Sequence, residues 1–129
     1  MRWHLLKIAK DLISSLIALG VPAIVLIVAV ETAGVAGGAA MVVGLSTIGG
    51  PLGLIGGVVL LGVLVLISKK IGEIGFDELM RTVLKGLKES GKSKEQIFAD
   101  IDSYPIPESL KRSIRGWVEA LWVDSHTRA

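Results

Sequence analysis

The chain has 129 residues, 51% of them hydrophobic, no cysteine and a formal net charge of +2. The absence of cysteine excludes disulfides, thiolate metal sites and cysteine nucleophiles. The near-balanced acids and bases after Lys69 exclude the one-signed basic face of a nucleic-acid binder.

The apolar residues are concentrated rather than dispersed. Between Leu12 and Ser68 the only ionisable side chain is Glu31. One bilayer crossing takes ~20 apolar residues as helix, so this block holds two comfortable spans, or three short ones in the alternative. The expected fold class is therefore an all-α integral membrane protein: a glycine-rich transmembrane helical hairpin followed by a small C-terminal bundle of amphipathic helices. Three regions follow: an interfacial N-terminal segment at 1–11, the hydrophobic block at 12–68 and a cytosolic helical domain at 69–129.

In the first region Trp3, Lys7 and Lys10 stand just before the apolar run, where tryptophan and lysine anchor a helix at the interface. A cleavable signal peptide has the same order of features. The run Leu12 to Val30 is longer than a signal's apolar core, and cleavage near Thr32-Ala33-Gly34 would leave a second apolar block behind, so a retained anchor is the expectation.

The first span is expected at about 12–30, with a kink at Pro22, which removes a backbone donor. Glu31 follows directly. It is either solvated at the far interface, which its position favours, or a lining group of a pore or polar contact across an oligomer. From Thr32 to Gly50 the chain turns to glycine, alanine and other small residues, and Gly49-Gly50-Pro51 is a turn signal. This segment, 32–50, is expected to be re-entrant or to form a hairpin between the spans. The second full span is expected at 51–68 and stops at the basic anchors Lys69 and Lys70. Basic residues at both ends of the block place both termini in the cytoplasm, and a bacterial inner membrane is the expected location. Three spans would place the termini on opposite sides.

The small residues fall at helix-packing spacing: Gly34 with Gly38, Ala40 with Gly44, and Gly49, Gly53 and Gly57 in succession. Glycine ridges allow close backbone approach between helices in lipid, which points to a homo-oligomer; the competing reading is packing inside one hairpin, or chance in a glycine-rich run.

After Lys70 the period is helical. Phe76, Leu79, Met80, Val83, Leu84 and Leu87 repeat at three and four, with acids at the start, Lys88 near the end and Gly91 beyond as a C-cap. Ser93 with Gln96 predicts a capping box for a short helix through Ile97, Phe98 and Ile101. Tyr104-Pro105-Ile106-Pro107 breaks it, and a last helix is expected to open at Pro107 and run through Leu110, Ile114, Trp117, Val118, Leu121 and Trp122. The final Ser-His-Thr-Arg-Ala is expected to fray. Three such helices without disulfide or metal need further packing, on one another and on a neighbour or a membrane surface. Lys111, Arg112 and Arg115, with Trp117 and Trp122, form a candidate surface for a protein partner or anionic lipid, the competing reading being a solvated face whose charge Glu108, Glu119 and Asp124 dilute.

No catalytic constellation is present. His4 and His126 lie at opposite ends with no clustered ligands, so no metal site is expected, and the glycine runs match no phosphate-binding pattern. No cofactor and no enzymatic activity are expected. The expected function is a homo-oligomeric pore or permeabilising complex, in the manner of a toxin or defence effector, with C-terminal helices that regulate assembly or sense a signal. The alternative is a non-conducting scaffold that docks a partner protein.

Overall fold

A computed structural model describes residues 11–47 and 57–127, with side chains described for 11–40 and 60–122. The described residues are all-helical, in six helices and no strand: α1 (Leu12–Leu19), α2 (Val21–Thr47), α3 (Gly57–Ile74), α4 (Phe76–Glu89), α5 (Lys94–Ser103) and α6 (Glu108–Thr127). One of them, over Val21–Ala40, is long and apolar enough to cross a membrane. Two spans were expected; the second, at 51–68, is described only from Gly57 onward.

The C-terminal helices form for the local reasons that their residues supply. Helix α4 buries Leu79, Met80, Val83, Leu84 and Leu87 on one stripe and carries Asp77 and Glu78 in its first turn, at the positive end of its dipole. Each buried side chain of this size contributes about 1.5–3 kcal/mol as an upper figure. It ends in a Schellman motif: the Lys92 N–H donates to the Leu87 carbonyl and the Gly91 N–H to that of Lys88, both at 3.1 Å, with Gly91 at φ 101°. Helix α5 opens with the expected capping box, in which the Gln96 N–H donates to Ser93 Oγ (3.1 Å) and the Ser93 N–H donates to Gln96 Oε1 (2.9 Å). Helix α6 buries Leu110, Ile114 and Val118. Pro107 stands just before its first residue, accepting from the Leu110 and Lys111 N–H groups, rather than inside it. The helix also continues through Ser125 and His126 to Thr127, where a frayed tail was expected.

These helices do not stand apart from the apolar block. Helix α2 touches all five others, and Val21 to Val30 is buried in ten consecutive positions, with Ala23 to Ile27 at 0% exposure. An amphipathic helix buries a stripe, whereas one buried all round is the centre of its fold. The core therefore joins Val21–Val30 to Leu79, Met80 and Leu84 of α4, Ile97 and Ile101 of α5, and Ile114 and Val118 of α6.

Candidate functional site

The apolar helix and the joints that position it form the candidate site. Between α1 and α2 the chain breaks at Gly20, at φ 88° and ψ −147°. The Gly20 N–H still donates to the Leu16 and Ile17 carbonyls at 3.1 Å, and the Gly20 carbonyl accepts from Ala23 at 2.9 Å. The kink expected at Pro22 is thus displaced to Gly20. Pro22 sits in the first turn of α2, where backbone N–H groups have no intrahelical partner and a missing donor costs nothing. The expected first span, 12–30, is divided there.

A second joint lies at Gly34, at φ 72° and ψ −177°, inside α2. Helix resumes beyond it to Thr47, so most of the segment expected to separate two spans belongs to α2. The bend is sharp. A Cβ on Gly38 would lie 3.3 Å from the Ala29 carbonyl carbon and 3.4 Å from the Val30 nitrogen. In a straight helix positions 29 and 38 are ~13.5 Å apart along the axis, so the chain turns back at Gly34 and lays Gly38 on its own backbone.

The other packing glycines divide. Gly34 is the joint itself, with none of the described residues within 4 Å of the position of a Cβ, and Gly38 makes a close approach within the chain. Gly44 lies in the second part of α2 and Gly57 opens α3; Gly49 and Gly53 lie outside the described residues. Glu31 is exposed at the end of the buried run, with no ion pair among the described residues. Next to it, Thr32 Oγ1 donates to the Val28 carbonyl at 2.7 Å, returning its hydroxyl to the helix. Of the interfacial anchors, Trp3, Lys7 and Lys10 lie outside the described residues, Lys69 is exposed and Lys70 pairs with Glu73 at 3.5 Å.

At the C-terminal surface the structure brings the basic and aromatic residues into contacts with their own chain. Arg115 bridges Asp102 and Glu108 (3.1 Å to the latter), and its hydrogen bonds to Glu108 and then to Asp102 raise the guanidinium pKa further. Lys111 Nζ donates to the Asp102 carbonyl at 3.0 Å, tying α6 to the end of α5, while Arg112 is exposed. The Trp117 ring meets Phe76 edge to face at 5.5 Å, and Lys88 lies 5.4 Å over Trp122.

Two features went unread in the sequence. Helix α1 crosses α4 at Gly86, where a Cβ would stand 2.3 Å from Ile17 Cδ1; a glycine inside a strong helical pattern was the available signal. Beside this crossing and the Gly20 break lies a cavity of about 570 Å³, with Ile17, Val21, Pro22 and Leu87 as its apolar lining. Its polar members are already engaged: Lys92 pairs with Asp100 at 3.6 Å and Ser90 Oγ donates to the Leu87 carbonyl at 2.7 Å. Tyr104, also at this cavity, has its pKa raised by burial and by the Asp100 charge. Among the described residues no group of three His, Asp or Glu comes together that could hold a metal ion. No protein-family model, curated protein or solved structure matches this chain.

Proposed function

We propose that this chain is a membrane-inserting protein that self-associates through its glycine-rich helices into a pore or permeabilising complex, with its C-terminal helices controlling assembly. The observation that carries this reading is the apolar run Val21–Ala40, with a mean hydropathy of 1.9, which is bent back at Gly34 and whose first part, Val21–Val30, is held inside the other helices of the same chain. A core helix of a water-soluble protein meets the same length test. The surface of the block supports the membrane reading: from Ser14 to Ser68 every exposed described residue except Glu31 is uncharged, and α3 turns Leu61 and Val65 outward at 47% and 53% exposure. A bilayer accepts such a surface, whereas water favours charge on the outer face of a helix. Bacterial inner membrane, with both termini cytoplasmic, is the location that the flanking lysines and arginines support.

The test adds the purified full chain, diluted from detergent, to dye-loaded vesicles of phosphatidylethanolamine and phosphatidylglycerol. Insertion is read as protein that stays with the vesicles through an alkaline wash, permeabilisation as dye release, and assembly by native mass spectrometry. The reading expects all three, with a discrete oligomer. Stable insertion with silent vesicles and silent planar bilayers would instead favour the non-conducting scaffold. That second reading rests on a concavity of about 430 Å³ lined by Arg81, Ser113, Gly116, Trp117 and Ala120, which offers a partner protein a cation beside an aromatic ring.

A further inference from the structure

Three glycines hold torsions that other residues do not adopt. Gly20 is at φ 88°, ψ −147°, Gly34 at φ 72°, ψ −177° and Gly75, between α3 and α4, at φ 92°, ψ 151°. This extended, positive-φ region belongs essentially to glycine alone. Among the described residues space does not require glycine at any of the three: a Cβ would meet only Pro22 Cδ at 4.0 Å at Gly20, and nothing within 4 Å at Gly34 or Gly75. Their shared property is the backbone turn itself. Gly91, by contrast, serves an ordinary helix C-cap.

We propose that Gly20 and Gly34, the two such glycines inside the uncharged block, are conformational joints, and that the described form is a covered state which a lipid bilayer converts to one with straightened helices. The proposal rests on the membrane-inserting reading above. Straightening at Gly20 joins α1 to the first part of α2 and makes the uncharged run from Leu12 to Val30 one helix, kinked at Pro22 as membrane-spanning helices tolerate, and close to the ~20 residues of a single crossing. Each break leaves first-turn N–H and last-turn carbonyl groups without intrahelical partners. Water tolerates this, but lipid has nothing to offer those groups, so a bilayer favours the continuous helix at Gly20 and Gly34, inside the uncharged block, and leaves Gly75, beyond Lys69 and Lys70, in water. The contacts that hold the bent form are the burial of Val21–Val30 and the crossing of α1 over α4 at Ile17 and Gly86. The bilayer thus binds one state better than the other, as a ligand must if it is to shift an equilibrium. Once released, the apolar stripe of α4 is free to lie on the membrane surface.

The crossing supplies a lock. The Gly86 Cβ position is 2.6 Å from Ile17 Cγ1. One further C–C bond puts the two Cβ positions within about 4.1 Å of each other, inside the ~3.5–4.5 Å that a disulfide spans. The chain contains no cysteine, so Ile17→Cys with Gly86→Cys creates a single pair in the full-length protein. Insertion and dye release are measured on the same vesicles with this pair oxidised and then reduced, beside Gly20→Ala and Gly34→Ala singly, with Gly75→Ala as a variant of the same torsion outside the apolar block. The oxidised pair is expected to lose insertion and release, and to regain both on reduction. Gly20→Ala and Gly34→Ala, strained only in the bent form, are expected to raise the equilibrium ratio of inserted to free protein about five- to thirtyfold over wild type, the factor that about one to two kcal/mol makes, while Gly75→Ala leaves it unchanged.

Insertion by the oxidised pair at the reduced rate would overturn the joints while leaving a permeabilising protein in place. Insertion of wild type without release would remove the pore, and the joints would then be judged on insertion alone. Failure of every variant to insert would remove both.

Discussion

Ile17 of α1 lies so close over Gly86 of α4 that the space for any side chain at 86 is already taken: a Cβ there would stand 2.3 Å from Ile17 Cδ1 and 2.6 Å from its Cγ1. Gly86→Ala gains helix propensity but must displace the end of the isoleucine. The net expectation is a loss of about 1–2 kcal/mol, since overpacking costs roughly 1–3 kcal/mol and the propensity gain is below about 1. Gly86→Leu should cost more. Adding Ile17→Ala to Gly86→Ala should recover part of the loss, a coupling that denaturant titrations of the two single variants and the double variant would measure.

The capping box of α5 makes a more local prediction. Ser93→Ala removes the acceptor of the Gln96 N–H and should destabilise the fold by ~1 kcal/mol, while Ser93→Gly should cost only a few tenths. Thermal melts followed by far-ultraviolet circular dichroism distinguish the two.

Tyr104 is the chain's single tyrosine, so absorbance of the tyrosinate reports on it alone. Burial first, and the Asp100 charge second, raise its pKa above the ordinary value of 10.0. A raised value means that the folded state holds the proton longer than the unfolded state. Its contribution to stability is therefore complete below about pH 10 and is lost as pH rises through the folded-state pKa. A spectrophotometric titration should place the folded midpoint above that of the unfolded chain, and Asp100→Asn should lower it. A folded midpoint at or below the unfolded one would contradict the burial seen here.

Phe76 opens α4 immediately after Gly75, and its ring stands edge-on to Trp117 of α6 at 5.5 Å and 85°. A double-mutant cycle with Phe76→Leu and Trp117→Leu should give a coupling of about 0.5–1.5 kcal/mol. Absence of coupling would show that α4 and α6 meet through their aliphatic stripes alone.

Gly38 lies against the backbone of Ala29 and Val30, which has little room to move. Gly38→Leu should therefore destabilise the bent form of the individual chain by about 1–3 kcal/mol. Denaturation at increasing dilution separates this from an effect on a contact between copies: the loss predicted here is independent of protein concentration.

Much of the C-terminal half was legible because its determinants are local. The stripe of α4, the acids of its first turn, Gly91 and the Ser93–Gln96 pair act within a few residues of themselves, and each stands where period and capping rules place it. The apolar half was legible as composition, not as path. Pro22 is the stronger sequence signal for a bend, yet proline is compatible with the first turn of a helix, and the torsion fell to Gly20 instead. Helix extends through the glycine-rich stretch as far as Thr47 despite its weak helix propensity, although most of its described residues, Thr32–Ala36 and Ala40 among them, are not buried. That α4, α5 and α6 share a core with Val21–Val30 depends on residues distant in sequence, which no local period reveals. Likewise the basic side chains of α6 read as a surface, but whether Arg115 faces a partner or bridges Asp102 and Glu108 is decided by where α5 ends.

The burial of Val21–Val30 also orders events in time. A ribosome makes this segment well before Leu79, Ile97, Ile114 and Val118, the residues that complete its enclosure. At typical elongation rates the gap between Val30 and Val118 lasts on the order of ten seconds. Until α4, α5 and α6 are made, only α1 and α3 can pack on the segment, and the nascent chain presents an incompletely covered apolar helix. The covered form is consequently a late product of synthesis, and the first surface able to capture the segment, a bilayer or a chaperone, competes with a lid that has not yet been translated.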